Sequence, residues 1–144
     1  MQLPSKPRRP AARSLEELRP FVRDGRYRLG PHATRHAIAE GFTERDVVMT
    51  LLHGRELARY LDDRRLLILG WLPAGRRVRL PLHVVAEYGR PRWVDVVTAF
   101  IPREPHRVVS RRRLALMLRP HPEDTVVRAA ADAEGDAGQD ERLG

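Results

Sequence analysis

At Gly54 the spacing of apolar residues changes, and that change constrains the fold more than any other feature of the chain. Before it, in "FTERDVVMTLLHG", Val47, Val48, Leu51 and Leu52 recur at the three- and four-residue intervals that place them on one face of an α-helix. Thr43, three residues ahead of Asp46, marks the start of that helix, and Gly54 its end. After it, "ELARYL" (56–61), "RLLILGWL" (65–72), "VRLPLHVVAEY" (78–88) and "RWVDVVTAFI" (92–101) are β-rich runs. Their connectors, "DDR", "PAGRR" and "GRP", are short enough for hairpins. The pattern predicts an α+β domain: short N-terminal helices packed on a four-stranded antiparallel meander.

The segments on either side follow from punctuation. Ser14 and Glu17 have capping-box spacing ahead of the stripe Leu15, Leu18, Phe21 and Val22, while Pro20 predicts a break or kink and Gly25 a stop. In "PHATRHAIAEGF" (31–42), Pro31 stands at a natural first-turn position and Gly41 at a natural C-cap. The segment "SRRRLALMLRP" opens at Ser110 and stops at Pro120, with Leu114, Met117 and Leu118 at helical spacing, so a basic C-terminal helix is expected. Residues 1–13, with three prolines and four basic side chains, read as a flexible basic arm, and residues 14–119 as the single α+β domain. Residues 120–144 lack aromatics and are rich in Ala, Asp and Gly, the composition of an acidic, disordered tail. No internal repeat is visible.

The formal net charge of +8 is unevenly spread. Residues 120–144 hold seven acidic side chains and two arginines, which leaves residues 1–119 at +13. All but one of the basic residues are arginine, the side chain best suited to bidentate phosphate contacts, so RNA or DNA is the expected partner. The tail is placed to shield that basic surface intramolecularly. The absence of cysteine excludes disulfides, thiol catalysis and cysteine zinc sites. The longest apolar runs, such as "LLILGWLP", fall far short of the roughly 20 residues that span a bilayer, and no apolar run follows the basic N-terminus. A cytoplasmic protein without membrane association is expected.

Within "PHATRHAIAEGF", His32 and His36 lie one helical turn and about 40° apart, with Glu40 a further turn along and Arg35 beside them. Cutting RNA without a metal needs a base for the 2′-hydroxyl proton, an acid for the departing 5′-oxygen and cations around the phosphate. Histidine suits the first two tasks and arginine the third. By strand alternation His83 shares a face with Val85 and Glu87, opposite Leu82, Val84 and Ala86. His32, His36, His83 and Glu87 are therefore the candidate catalytic groups, and Arg35, Arg111, Arg112 and Arg113 the candidate nucleic-acid contacts. The last three crowd the first turn of the basic helix, where the helix dipole disfavours cations, so a polyanion or the acidic tail is expected to face them. Each of these residues also has a plain structural role open to it: packing, capping or charge balance. Trp71 and Trp93 read as core or hairpin packing, and Tyr60 and Thr98 as strand formers. No metal or other cofactor is expected, because "HATRH" lacks the glutamate of the zinc-protease helix and Arg35 would repel a cation. No Gly-rich phosphate loop, nucleophile elbow or paired-carboxylate motif appears.

"HA" opening one helix, "GFTERDV" opening the next, "LLHGRELARY" leading into a strand, "LPLHVV" in a later strand and "VVTAFIP" in the last together resemble a bacterial domain-of-unknown-function family similar in fold to the BrnT and RelE toxins. The resemblance covers about residues 28–105. It implies a compact α+β fold, a metal-independent ribonuclease activity and an antitoxin protein as a candidate partner. Members of the family commonly carry arginine where this chain has His36 and Glu40, and Arg35 falls one residue early, so a site built on those arginines would be rewired here. The function expected first is a toxin-like, metal-independent endoribonuclease or a descendant of one. The alternative is a non-catalytic nucleic-acid-binding or stress-associated accessory protein with the same basic domain, and a third reading is protein interaction through a sheet edge. The oligomeric state is not legible in the sequence.

Overall fold

The computed structural model describes residues 13–119. The basic arm up to residue 12 and the acidic tail from residue 120, and with them the expectations of a flexible arm and a disordered, shielding tail, lie outside the described residues.

Helix α1 (Leu15–Arg23) starts on the capping box of Ser14 and Glu17. It runs unbroken through Pro20, a correction to the expected break. The missing proline N–H removes a single intrahelical bond, while burial of Leu15, Leu18 and Val22 holds both halves of the helix to the same core. Helix α2 (Pro31–Glu40) has its proline in the first turn and ends at Gly41, whose φ of 83° is a left-handed conformation that only glycine adopts without strain. Helix α3 (Glu44–His53) begins on the Thr43–Asp46 capping box.

Five strands follow from the chain rather than four. A three-residue strand β1 (Tyr27–Leu29) precedes α2, and β2 (Arg55–Tyr60), β3 (Arg65–Pro73), β4 (Arg79–Glu87) and β5 (Val94–Phe100) come after α3. The expected antiparallel meander is β2 to β5, but β1 adds to its far edge in parallel with β5, giving the mixed order β1-β5-β4-β3-β2. "YRL" between two glycines is too short to show a period of two, and its partner lies far along the chain, so no local signal marks it. Helix α4 (Arg111–Met117) closes the described chain.

The sheet is covered on both faces. On one, Leu66, Ile68, Leu82, Val84, Ala86, Val94 and Val96 pack under Leu18, Ala33, Val47 and Leu51 of the first three helices. On the other, Leu67, Val85 and Tyr60 pack under Leu114 of α4. The alternation of β4 is as read from the sequence, with Val85 on one face and Leu82, Val84 and Ala86 on the other. In β5 the alternation is interrupted. Val85 pairs with Thr98 but Ala86 pairs with Val96, so Val97 is an extra residue, a β-bulge. Beyond the bulge Thr98 and Phe100 stand opposite Val85 and His83, on the α4 side.

Close approach fixes how α3 sits on the sheet. A Cβ on Gly70 of β3 would stand 2.2 Å from the Thr50 hydroxyl and 2.7 Å from its methyl, so only glycine admits Thr50 at that point. Arg19 of α1 then closes the end of α3, donating from Nε to the Leu51 carbonyl at 3.0 Å and from Nη2 to the Gly54 carbonyl at 2.8 Å. Those carbonyls have no intrahelical donor, and a cation at a helix C-terminus is favoured by the dipole.

Candidate nucleic-acid interface

The bulge in β5 and the segment after it build a cleft on the α4 side of the sheet. Residues 101–110, "IPREPHRVVS", leave the end of β5 and cross to α4. Three contacts pin them. The Ile101 amide donates to Glu40 Oε1 at 2.7 Å, the Pro105 carbonyl accepts from His83 Nε2 at 2.6 Å, and the Val109 carbonyl accepts from the Tyr60 hydroxyl. Burial pushes the Tyr60 phenol up to about 12, so it remains a donor at every physiological pH. Between this segment, β5 and α4 lies a cleft of about 350 Å³, lined by His83, Phe100, Glu104 and Ser110 and by the guanidinium-bearing side chains Arg103, Arg107 and Arg113. All three arginines are exposed.

His83 is almost wholly buried at 1% exposure. A carbonyl only accepts, so the contact with Pro105 fixes the imidazole proton on Nε2 and leaves Nδ1 as an acceptor. Among the described residues Nδ1 is the buried side-chain polar atom without a hydrogen-bond partner. Burial pushes the His83 pKa below its ordinary value, against the Pro105 hydrogen bond, which raises it, and with His106, which lowers it further. The ring is neutral near pH 7.

The four candidate catalytic groups do not line one cleft. His83 lines it; His32, His36 and Glu87 are not among its walls. Glu87 is four residues along β4, about 13 Å at strand rise, and pairs with Arg65 on the neighbouring strand at 2.9 Å. His32 and Arg35 are half-buried on α2. His36 is buried, with Nδ1 on Glu40 Oε2 at 2.6 Å. The two positions that depart from the resembled arginine pattern thus pair with each other. Phe100 makes ring contact with both buried imidazoles, with centroids 6.3 Å from His36 and 5.3 Å from His83.

The candidate phosphate contacts divide. Arg111 is held by Asp63, with Nε at 2.9 Å, and by Asp62 at 3.9 Å, which corrects the expectation that it lacks a structural partner. Asp63 and Asp62 offset the cation that the helix N-terminus disfavours, and the hydrogen bond from Arg111 in turn pulls the Asp63 carboxyl below its usual range. Arg112 is exposed and outside the cleft, whereas Arg113 lines it.

No known family model matches this chain, and no curated protein or solved structure matches it either. Sequence reasoning passed over Arg103, Glu104 and Arg107, which sit in the connector after the last strand. The available signal was two arginines and a histidine set between and just after two prolines, a segment too rigid and too charged for a mere link. Among the described residues no cluster of histidine, aspartate and glutamate could hold a metal ion, and no helix is long and apolar enough to cross a membrane. Three cations around a concave floor, with a neutral imidazole beneath, are suited to holding a phosphate diester.

Proposed function

We propose that the protein binds RNA through the arginine-rimmed cleft beside His83. The observation that carries this reading is the convergence of Arg103, Arg107 and Arg113, from two separate elements, on one cleft in a chain whose first 119 residues carry +13. Arginine presents a planar fork that matches two phosphate oxygens, and three guanidinium groups against the single carboxylate of Glu104, which lies 3.7 Å from Arg107, leave the concave surface net positive. Binding without cleavage is the reading that the geometry favours. The reactive nitrogen of His83 is buried and the other is held by Pro105, so neither reaches a bound 2′-hydroxyl unless residues 101–110 move.

A toxin-like ribonuclease, with the BrnT and RelE likeness that goes with it, is the second reading. Its support is that the same cleft holds one imidazole, His83, and one carboxylate, Glu104, beside the cations. The test is incubation of the pure protein with total RNA in EDTA, alongside binding measured across a salt series. Binding that weakens by orders of magnitude between low and moderate salt, with the RNA intact, is the expected result. RNA cleavage that disappears in His83→Gln and Glu104→Gln establishes the ribonuclease instead. Absence of binding at low salt removes both.

A further inference from the structure

We infer that the depression between α3 and Trp71 is a nucleobase pocket, so that the nucleic acid bound is single-stranded; this rests on the RNA-binding reading above. Trp71, which reads from the sequence as core or hairpin packing, is 43% exposed on β3 and so is not a core residue. It lies two residues beyond Leu69, the register partner of His83, and so belongs to the same face of the sheet as the arginine cleft. A depression of about 440 Å³ opens beside it, with Met49 and Leu69 as further apolar walls and His53, Arg55 and His106 at its rim. An aromatic plane, apolar walls and polar edge groups are what an unpaired base requires, its π-face stacking and its edge forming hydrogen bonds.

The pocket is held in shape before anything binds. Arg79 lies over the Trp71 ring at 5.6 Å, and His106 is tilted against it at 6.5 Å, which restrain the indole. Arg55 Nη2 lies 3.1 Å from His106 Nδ1. A guanidinium only donates, so His106 Nδ1 is the acceptor in this contact and Nε2 is left as the ring's donor. The same connector separates the two sites. Arg103 and Arg107 line the phosphate cleft and His106 lines the base pocket, so a strand crossing this ridge can place its backbone on one side and a base on the other. In a duplex the base faces are stacked and paired, out of reach of Trp71.

The test is anisotropy of the full chain with three labelled probes of equal length: an oligouridine RNA, the same strand in a duplex, and a base-free sugar–phosphate oligomer. The single strand is expected to bind roughly ten-fold tighter than either other probe, the scale of one stacked base. Trp71→Leu should bring it down to the base-free level without altering the slope of log affinity against log salt, because the neutralised phosphates are unchanged. Tryptophan emission of the unsubstituted protein is a second readout that needs no variant: the single strand quenches it and the base-free oligomer does not. Duplex bound as tightly as single strand, or single strand bound without quenching and unaffected by Trp71→Leu, overturns the inference and leaves the phosphate cleft standing. No binding of any probe at low salt overturns the RNA-binding reading and this inference together.

Discussion

Glu40, in the last turn of α2, accepts a hydrogen bond from the backbone amide of Ile101 at 2.7 Å, across 61 residues of chain. Its second oxygen holds His36 Nδ1 at 2.6 Å, so one carboxylate fixes both a buried imidazole and the point where the cleft-forming connector leaves β5. A charged acceptor shared by two donors is stronger than a neutral one, and its loss leaves both donors unpaired. Glu40→Ala is expected to destabilise the fold by about 1–3 kcal/mol. Glu40→Gln keeps the Ile101 bond through its carbonyl oxygen and should lose markedly less. Equal melting temperatures for the parent and Glu40→Ala would show that the contact contributes nothing.

The neutral state of His83 makes stability depend on pH. Burial depresses its folded pKa below the unfolded value of about 6.5, so between the two values the unfolded chain binds the extra proton. The stabilisation is therefore fully present above about pH 6.5 and is lost as pH falls through the unfolded value toward the folded one. His83→Gln retains a donor for the Pro105 carbonyl but does not titrate. Melting temperatures compared at pH 7.5 and 5.5 should fall less for this variant than for the parent. Parallel pH profiles would rule the mechanism out.

The arginines of α4 should separate in two assays. Arg113→Gln removes a cleft cation and is expected to lower RNA affinity and flatten the salt slope by roughly 0.7 for one single-strand phosphate contact. Arg111→Gln breaks an exposed pair with Asp63 and is expected to lower stability only slightly, because solvent screens the pair, while leaving the salt slope unchanged. Arg112→Gln should do neither. A salt slope that responds equally to all three substitutions would mean that the cleft has no special part in binding.

Gly70 and Thr50 supply a packing test. Gly70→Ala forces a methyl into the Thr50 side chain, an overpacking that costs about 1–3 kcal/mol. Thr50→Ala in the same chain removes the hydroxyl and the methyl from the clash, though its Cβ, at 2.8 Å, remains. Denaturant titration of the two single variants and the double should therefore give partial rescue, a coupling of opposite sign to the single effects. Strict additivity would place the clash elsewhere.

Much of the architecture was legible because its causes are local. The capping boxes of α1 and α3, the left-handed Gly41 and the helical and strand periods each act within a few residues, and short connectors leave successive strands no arrangement but adjacent ones. The same reasoning put His83 on the correct face of β4. What the tertiary structure decided depends on pairings between distant residues. Strand β1 exists because Tyr27 meets Val94, and α1 survives Pro20 because its apolar stripe is buried. The bulge at Val97 turns Phe100 toward His83, which no alternation rule applied to "VVTAFI" foresees, since one unpaired residue inverts every side chain after it. The same holds for the site. Composition announced an excess of arginine, but the connector, pinned by Glu40, His83 and Tyr60, brought Arg103 and Arg107 to one cleft with Arg113 of α4, while Glu40 held His36 in an internal pair. Such selection is made by hydrogen bonds between groups tens of residues apart, and their geometry exists only once the sheet has closed.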